Sequence, residues 1–261
     1  MALSIVPPNK TSTLMEMKNP FQDIDPKILE SAAKAFQMQA EALVKTIEPL
    51  KELFIQQFKE LQNVPESSKV LAEYGWYLSL YMEPGEVNEL ATKAREGNFD
   101  VVNDYMVNEI DDSINKIESE LVEKFPHRAK VMSAAIRAHK NADFYLSIPV
   151  LMTQIEGVCS EITGHRFFKI AKSAPKISEW VQQIESNSII HMFLEPLKII
   201  GPSQKYQEAQ SPKGINRHDV LHGDSVDFGE DKYNSYKALS LLYYLSDTVY
   251  KAKSHLDSTI Q

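Results

Sequence analysis

The apolar residues Phe36, Ala40, Leu43, Ile47, Leu50, Phe54, Phe58 and Leu61 recur at spacings of three and four. A strand alternates with period two, so this stripe commits the stretch to a helix, long enough to be coiled-coil-like. Asp25-Pro26 ahead of it reads as the helix start. Aspartate caps the free N–H groups, and proline at the first helical position loses no needed donor. Pro49 interrupts the stripe and is expected to kink or split the helix, because its ring collides with the carbonyl four residues back. The expected role of the stripe is packing on neighbouring helices. Nine glycines in 261 residues suit long helices more than a turn-rich sheet.

The same reading continues along the chain. Residues 1–24 hold Pro7, Pro8 and Pro20 with little periodicity and are expected to be a mobile or surface-draped arm. Val64-Pro65-Glu66 is expected to open a second helix carrying Val70, Leu71, Tyr74, Trp76, Tyr77 and Leu80, broken by Pro84-Gly85. A short helix to about Glu96 then meets Gly97, a C-terminal cap. An acidic helix from about Asp100 to Lys124 places Val102, Met106, Ile110, Ile114, Ile117 and Leu121 on one face. Its carboxylates read as a solvated face, since no histidine pattern of the di-iron type accompanies them. Further helices are expected from Pro126 to Asn141, from Tyr145 to Gly164 with a bend at Pro149, over Ile177–Ile184, over Ile189–Leu197, and from Lys232 to Asp257. Residues 201–214 read as a polar loop, and no strand pattern is convincing. The expectation is an all-α, multi-helix bundle: an arm over 1–24, a helical region of unassigned role over 25–140, and a helical core over 141–261.

The bulk numbers exclude several classes. No apolar run reaches the ~18 residues that span a bilayer, and Met1–Lys10 lacks the basic flank of a signal peptide. One cysteine, Cys159, precludes an intrachain disulfide and sits among Ile155, Val158 and Ile162 as a buried thiol, so a cytoplasmic location is expected. A net charge of −8 opposes broad, unspecific nucleic-acid binding but leaves room for a local basic pocket. The stretch His165-Arg166-Phe167-Phe168-Lys169-Ile170-Ala171-Lys172 is one such place, the alternative being a loop of solvated charges.

The chemistry gathers in Asn216-Arg217-His218-Asp219-Val220-Leu221-His222-Gly223. Asn216 suits an N-cap, which puts Arg217 in the first turn of a short helix that Gly223 ends. An arginine fork offers a phosphate two charge-assisted contacts, and histidine moves protons near neutral pH. Arg217 with His222 beside a phosphate is a minimal metal-free set for phosphodiester cleavage, given the internal nucleophile that RNA carries in its 2′-OH. His222 lies about 140° round the helix from Arg217, so a long arginine side chain has to reach back to meet it. Three alternatives stand beside this: a structural stitch between loop and bundle, phosphate binding without cleavage, and a Zn²⁺ site of His218 and His222 with Asp219 or Asp224.

The pattern Arg-polar-x-x-x-His near the start of a late helix resembles that of HEPN domains, all-helical modules of prokaryotic toxins, phage-defence proteins and some RNases. The stretches Pro149–Gly164 and Asn216–Leu245 are also similar to uncharacterised bacterial proteins of this kind. The resemblance covers roughly the C-terminal 110 residues; residues 1–140 match nothing nameable. It implies a metal-independent endoribonuclease with no cofactor, acting as a homodimer whose two copies of Arg217 and His222 line one cleft and leave 2′,3′-cyclic phosphate ends. It implies toxin–antitoxin or antiphage defence, with an antitoxin or regulatory protein as a further partner and no membrane. His218 would orient the pair, and Glu156, in Gln154-Ile155-Glu156-Gly157, corresponds by position to an acidic residue on an earlier core helix, the alternative being a buried carboxylate paired with Arg217 for structure alone. Asn216, Arg166, Lys169 and Lys213 are the expected substrate-binding residues. The acidic loop Asp224–Asp231 and the charge of −8 depart from a general RNA binder, which opposes catalysis on bulk RNA and leaves room for action on one docked RNA. The alternative function is a non-catalytic helical module that binds nucleotide, RNA or a protein through the same pocket.

Overall fold

The computed structural model describes residues 25–171, 173–184, 188–204 and 215–260. Two compact units divide the chain, Met1–Ile55 and Gln56–Gln261. The architecture is all-α, as expected, apart from one tiny hairpin. The expected arm over 1–24 lies outside the described residues.

One helix, α1 (Pro26–Glu73), replaces the two expected on either side of Pro49 and Pro65. Each proline forfeits one N–H bond, to the carbonyl of Lys45 or Leu61, and the remaining ladder carries the helix through. Asp25 starts it as expected, its Oδ1 accepting the Lys27 N–H at 2.9 Å. The helix stops where Gly75 takes φ 87°: the Trp76 and Gly75 N–H groups close onto the carbonyls of Leu71 and Ala72, both at 3.0 Å. Residues 74–83, expected to be helical, are therefore turn and extended chain. Trp76 and Tyr77 still enter the core, and Trp76 donates its Nε1–H to Asn103 at 2.9 Å.

In the unit from Gln56 onward, α2 (Pro84–Arg95), α3 (Phe99–Lys124), α4 (Ala129–Lys140), α5 (Phe144–Thr163) and α9 (Lys232–Tyr244) make the bundle. Helix α5 packs on α4 and α9, and α3 on α4 and α9. The period-3.6 faces do this as expected: Val102, Met106, Ile110, Ile117 and Leu121 of α3 are buried, and so are Leu151, Ile155, Val158 and Cys159 of α5. Each large side chain so buried contributes about 1.5–3 kcal/mol before entropy is set against it. Pro149 sits inside α5 without ending it, and Gly164 at φ 74° caps it. Gly97 at φ 80° follows α2.

Short elements complete the unit. Ile170–Ala171 and Ala174–Pro175 pair antiparallel as β1 and β2, where no strand was expected. Ser178–Val181 (α6) and Ile189–Met192 (α7) are shorter than the two helices expected there. Then come α8 (Arg217–His222), α9 and α10 (Tyr250–Ile260). The last two are joined by a π-helical turn, Leu245–Val249. Asp247 in that turn is fully buried and forms ion pairs with Lys251 at 2.6 Å and Lys124 at 3.7 Å. Among the described residues no helix is long and apolar enough to cross a membrane.

Candidate functional site

Helix α8 forms where its caps require. The Asn216 side chain accepts the His218 N–H at 2.9 Å, and Gly223 closes the other end at φ 80°. The Asp219 carbonyl then takes the N–H groups of Asp224 and Ser225, at 2.8 and 3.0 Å, which folds the acidic loop back on the helix. Val220 fastens α8 to α5 through a small separate core with Ile148 and Met152. With that face held down, residues 217, 218 and 222 are left to project elsewhere.

His218 and His222, four residues apart, bring their rings to 4.2 Å between centroids at an angle of 44°. His222 is exposed and His218 half-buried. Arg217 turns instead to the loop after α5. Its guanidinium carbon lies 5.4 Å from the centre of the Phe168 ring, a cation–π distance. Its Nε is buried without a hydrogen-bond partner, and among the described residues no carboxylate lies in ion-pair range of the guanidinium. A half-buried guanidinium with no counter-ion is costly, and an anion relieves that cost.

Glu156 does not pair with Arg217. Its Oε2 accepts the backbone N–H of Phe168 at 3.1 Å. The carboxylate thus holds the loop that presents the ring on which Arg217 rests. Gln204 braces the same loop by donating to the Phe167 carbonyl at 2.6 Å. Arg166 and Lys169 flank the two phenylalanines, both exposed. Asn216 is 7% exposed and committed to its capping bond, so its place is structural and it is not open to substrate. Lys213 lies outside the described residues.

Sequence reasoning passed over Phe168, although it stands within the basic stretch already singled out. The signal was an aromatic pair between cations, a pattern that stacks guanidinium groups or bases. It also passed over Lys237, which falls on the apolar arc of α9. Lys237 and Phe168 line one hollow of about 320 Å³, counted to its open mouth, with Tyr77, Ile155 and Ile215. Burial pulls the Lys237 ammonium down to about 8, and its Nζ lies 5.6 Å from the Trp76 ring. The Tyr77 hydroxyl is buried there without a hydrogen-bond partner. A second hollow beside α8 is acidic, lined by Asp219, Asp227, Glu230 and Asp231.

For the Zn²⁺ alternative, the His218 and His222 rings are neighbours on one helix face. Among the described residues no group of three or more histidine, cysteine, aspartate or glutamate side chains is placed to hold a metal. His218 and His222 pair with each other, and Arg217 rests on Phe168, whose N–H Glu156 holds; none of these contacts joins Arg217 to His222, so the expected reach of the arginine back to that histidine is not met. Comparison of the chain with protein-family models, with characterised proteins and with solved structures gives no match.

Proposed function

We propose that the patch at α8 is the active site of a HEPN-like, metal-independent endoribonuclease. The observation that carries this reading is Arg217: half-buried on the Phe168 face, without a carboxylate partner among the described residues, on the same short helix as the exposed His222. In the proposed reaction Arg217 holds the non-bridging oxygens of the scissile phosphate. His222 takes the proton of the 2′-OH. The 2′ oxygen attacks phosphorus, the P–O5′ bond breaks, and the leaving 5′ oxygen receives a proton from His222 of the partner subunit. The products are a 2′,3′-cyclic phosphate and a 5′-OH. His218 fixes the ring of His222, and Glu156 positions Arg217 through Phe168. Arg166 and Lys169 extend the positive surface along the RNA backbone. Toxin–antitoxin or antiphage defence, and an antitoxin or regulatory partner, follow from the resemblance to HEPN proteins.

A second reading has its own support. The acidic hollow beside α8 repels phosphate, which favours a binding module for one docked ligand over a nuclease of bulk RNA. Incubation of total cellular RNA with the purified chain in EDTA separates the two. The nuclease reading expects cleavage that survives chelation, and Arg217→Ala and His222→Ala each slowing it by on the order of 10²-fold or more. Folded but equally inert proteins favour the module. Activity lost with EDTA alone restores the His218/His222 metal site.

A further inference from the structure

In the unit up to Ile55, the described part of α1 leaves large side chains uncovered: Phe36 is 75% exposed, Leu43 61% and Phe54 72%. Among the described residues the stripe is exposed from Phe36 through Phe58, and of the residues expected to pack on neighbouring helices Leu61 joins the core. Phe36, Leu43 and Phe54 belong to a strict seven-residue repeat, Leu29, Phe36, Leu43 and Leu50 interleaved with Ala33, Ala40, Ile47 and Phe54. Such a repeat keeps its seam turned towards one partner helix over many turns, which a helix lying on a globular body does not require. We infer that residues 29–54 pair with the same residues of a second copy of this chain as an antiparallel coiled coil.

The partner and its direction both follow from the order of large and small residues. In a parallel pair each seam residue meets itself. Ala33 and Ala40 then leave thin layers, while Phe36 and Phe54 overfill theirs, and both faults destabilise packing. In the antiparallel pair centred between Ala40 and Leu43, Ala40 meets Leu43, Ala33 meets Leu50, Phe36 meets Ile47 and Leu29 meets Phe54. Every small residue faces a large one. The same register sets Glu30 opposite Lys51 at both ends, where the parallel alignment places Glu30 beside the acidic Asp25.

Within each chain Glu30 and Lys51 have local partners, Lys34 at 2.9 Å and Glu48 at 3.2 Å. Those pairs are exposed and worth little, so they yield to an exchange across the seam. Lysines and glutamates balance one for one over residues 26–55, so the charge of −8 does not oppose the association. The paired segment is about 38 Å long at 1.5 Å per residue. This pairing rests on α1 alone and does not depend on the reading of the α8 site.

Sedimentation equilibrium on the full chain at tens of micromolar tests it. The expected mass is at least twice 29.7 kDa and falls in Leu43→Glu/Phe54→Glu, where association through α1 is at least tenfold weaker. Both positions are solvent-facing, so an unchanged circular dichroism melt shows that the rest of the chain has kept its fold. Direction is read by oxidation, with Cys159 buried and silent. Leu29→Cys mixed with Phe54→Cys is expected to give a disulfide-linked pair, and Leu29→Cys alone none. A monomeric wild type overturns the proposal, whether hydrogen exchange shows residues 29–54 covered by another part of the chain or open. A mass that the double glutamate variant leaves unchanged overturns it as well, since the pair proposed at α8 uses no residue of 29–54, and cross-linking of Leu29→Cys to itself overturns the antiparallel pairing.

Discussion

Acid should destabilise this protein through His139 in a pH range where its carboxylates are still ionised. The ring is 5% exposed and lies between α4 and α9. Its Nδ1 is bonded to the Ser235 hydroxyl at 2.8 Å, and Ser235 in turn to Ser147 at 2.7 Å. Its Nε2 is buried with no partner, so a proton placed there has nothing to bind. Burial pulls the pKa from 6.5 down to about 4; the nearby Asp111 opposes the shift and Lys140 adds to it. The unfolded chain therefore takes up the proton first. The stabilising contribution is complete above the unfolded value, near 6.5, and falls away as pH drops from there to about 4. At about pH 5 the loss is about 2 kcal/mol, rising to about 3 kcal/mol below the folded pKa. In a body of this size that lowers Tm by roughly 4–8 °C. Urea or thermal unfolding of wild type beside His139→Gln, at about pH 7.5 and about pH 5, isolates the effect. The variant lacks the titrating ring, so its loss on acidification should be smaller by about 2 kcal/mol. Equal losses in the two proteins, or an NMR titration placing the folded His139 ring near its ordinary value, would refute the reasoning.

Other expectations follow from single contacts. Gly201→Ala puts a Cβ about 2.7 Å from the hydroxyl of the rigid, buried Tyr77 and should destabilise by about 1–3 kcal/mol, read by urea unfolding. Asp247→Asn removes the buried partner of Lys124 and Lys251; because both lysines are partly exposed, the expected cost is about 2 kcal/mol, lower than for a fully buried pair. The Cys159 thiol, which burial pushes up to about 12, should stay silent to a thiol reagent until the protein unfolds. Glu156→Gln weakens the bond to the Phe168 N–H and should lower RNA affinity or turnover while moving stability by about 1 kcal/mol or less; an unchanged RNA response would place Glu156 outside the site.

The helix at the site was legible because its signals are local. Asn216, Gly223, Gly164 and Gly97 mark ends through their own backbone or side-chain chemistry, and each stands at the end expected of it. The prolines misled where the ladder around them was strong enough to absorb a missing bond. Pro49 and Pro65 sit inside one helix, and the true end is the left-handed turn at Gly75. The apolar stripe of α1 specified a helix but not what covers it, since the same residues suit a bundle core or a second chain. In the site, the pairing of His218 with His222 follows from their spacing of four. The partner of Glu156 did not, because a backbone N–H twelve residues further on is invisible to side-chain pattern. Phe168 beneath Arg217 depends on how α8 lies against the end of α5, a tertiary fact that spacing along the chain does not encode.

The central claim is that Arg217 and His222 direct the 2′-OH of RNA against the adjacent phosphate, and product end-group analysis in EDTA tests it most directly. A short RNA oligonucleotide should give fragments ending in 2′,3′-cyclic phosphate and 5′-OH, the same oligonucleotide with 2′-deoxy sugars should remain whole, and Arg217→Ala should slow the RNA cleavage by on the order of 10²-fold or more. Cleavage of the deoxy strand, or 3′-OH and 5′-phosphate ends from the RNA, would contradict the account, because neither can arise from attack by the 2′ oxygen.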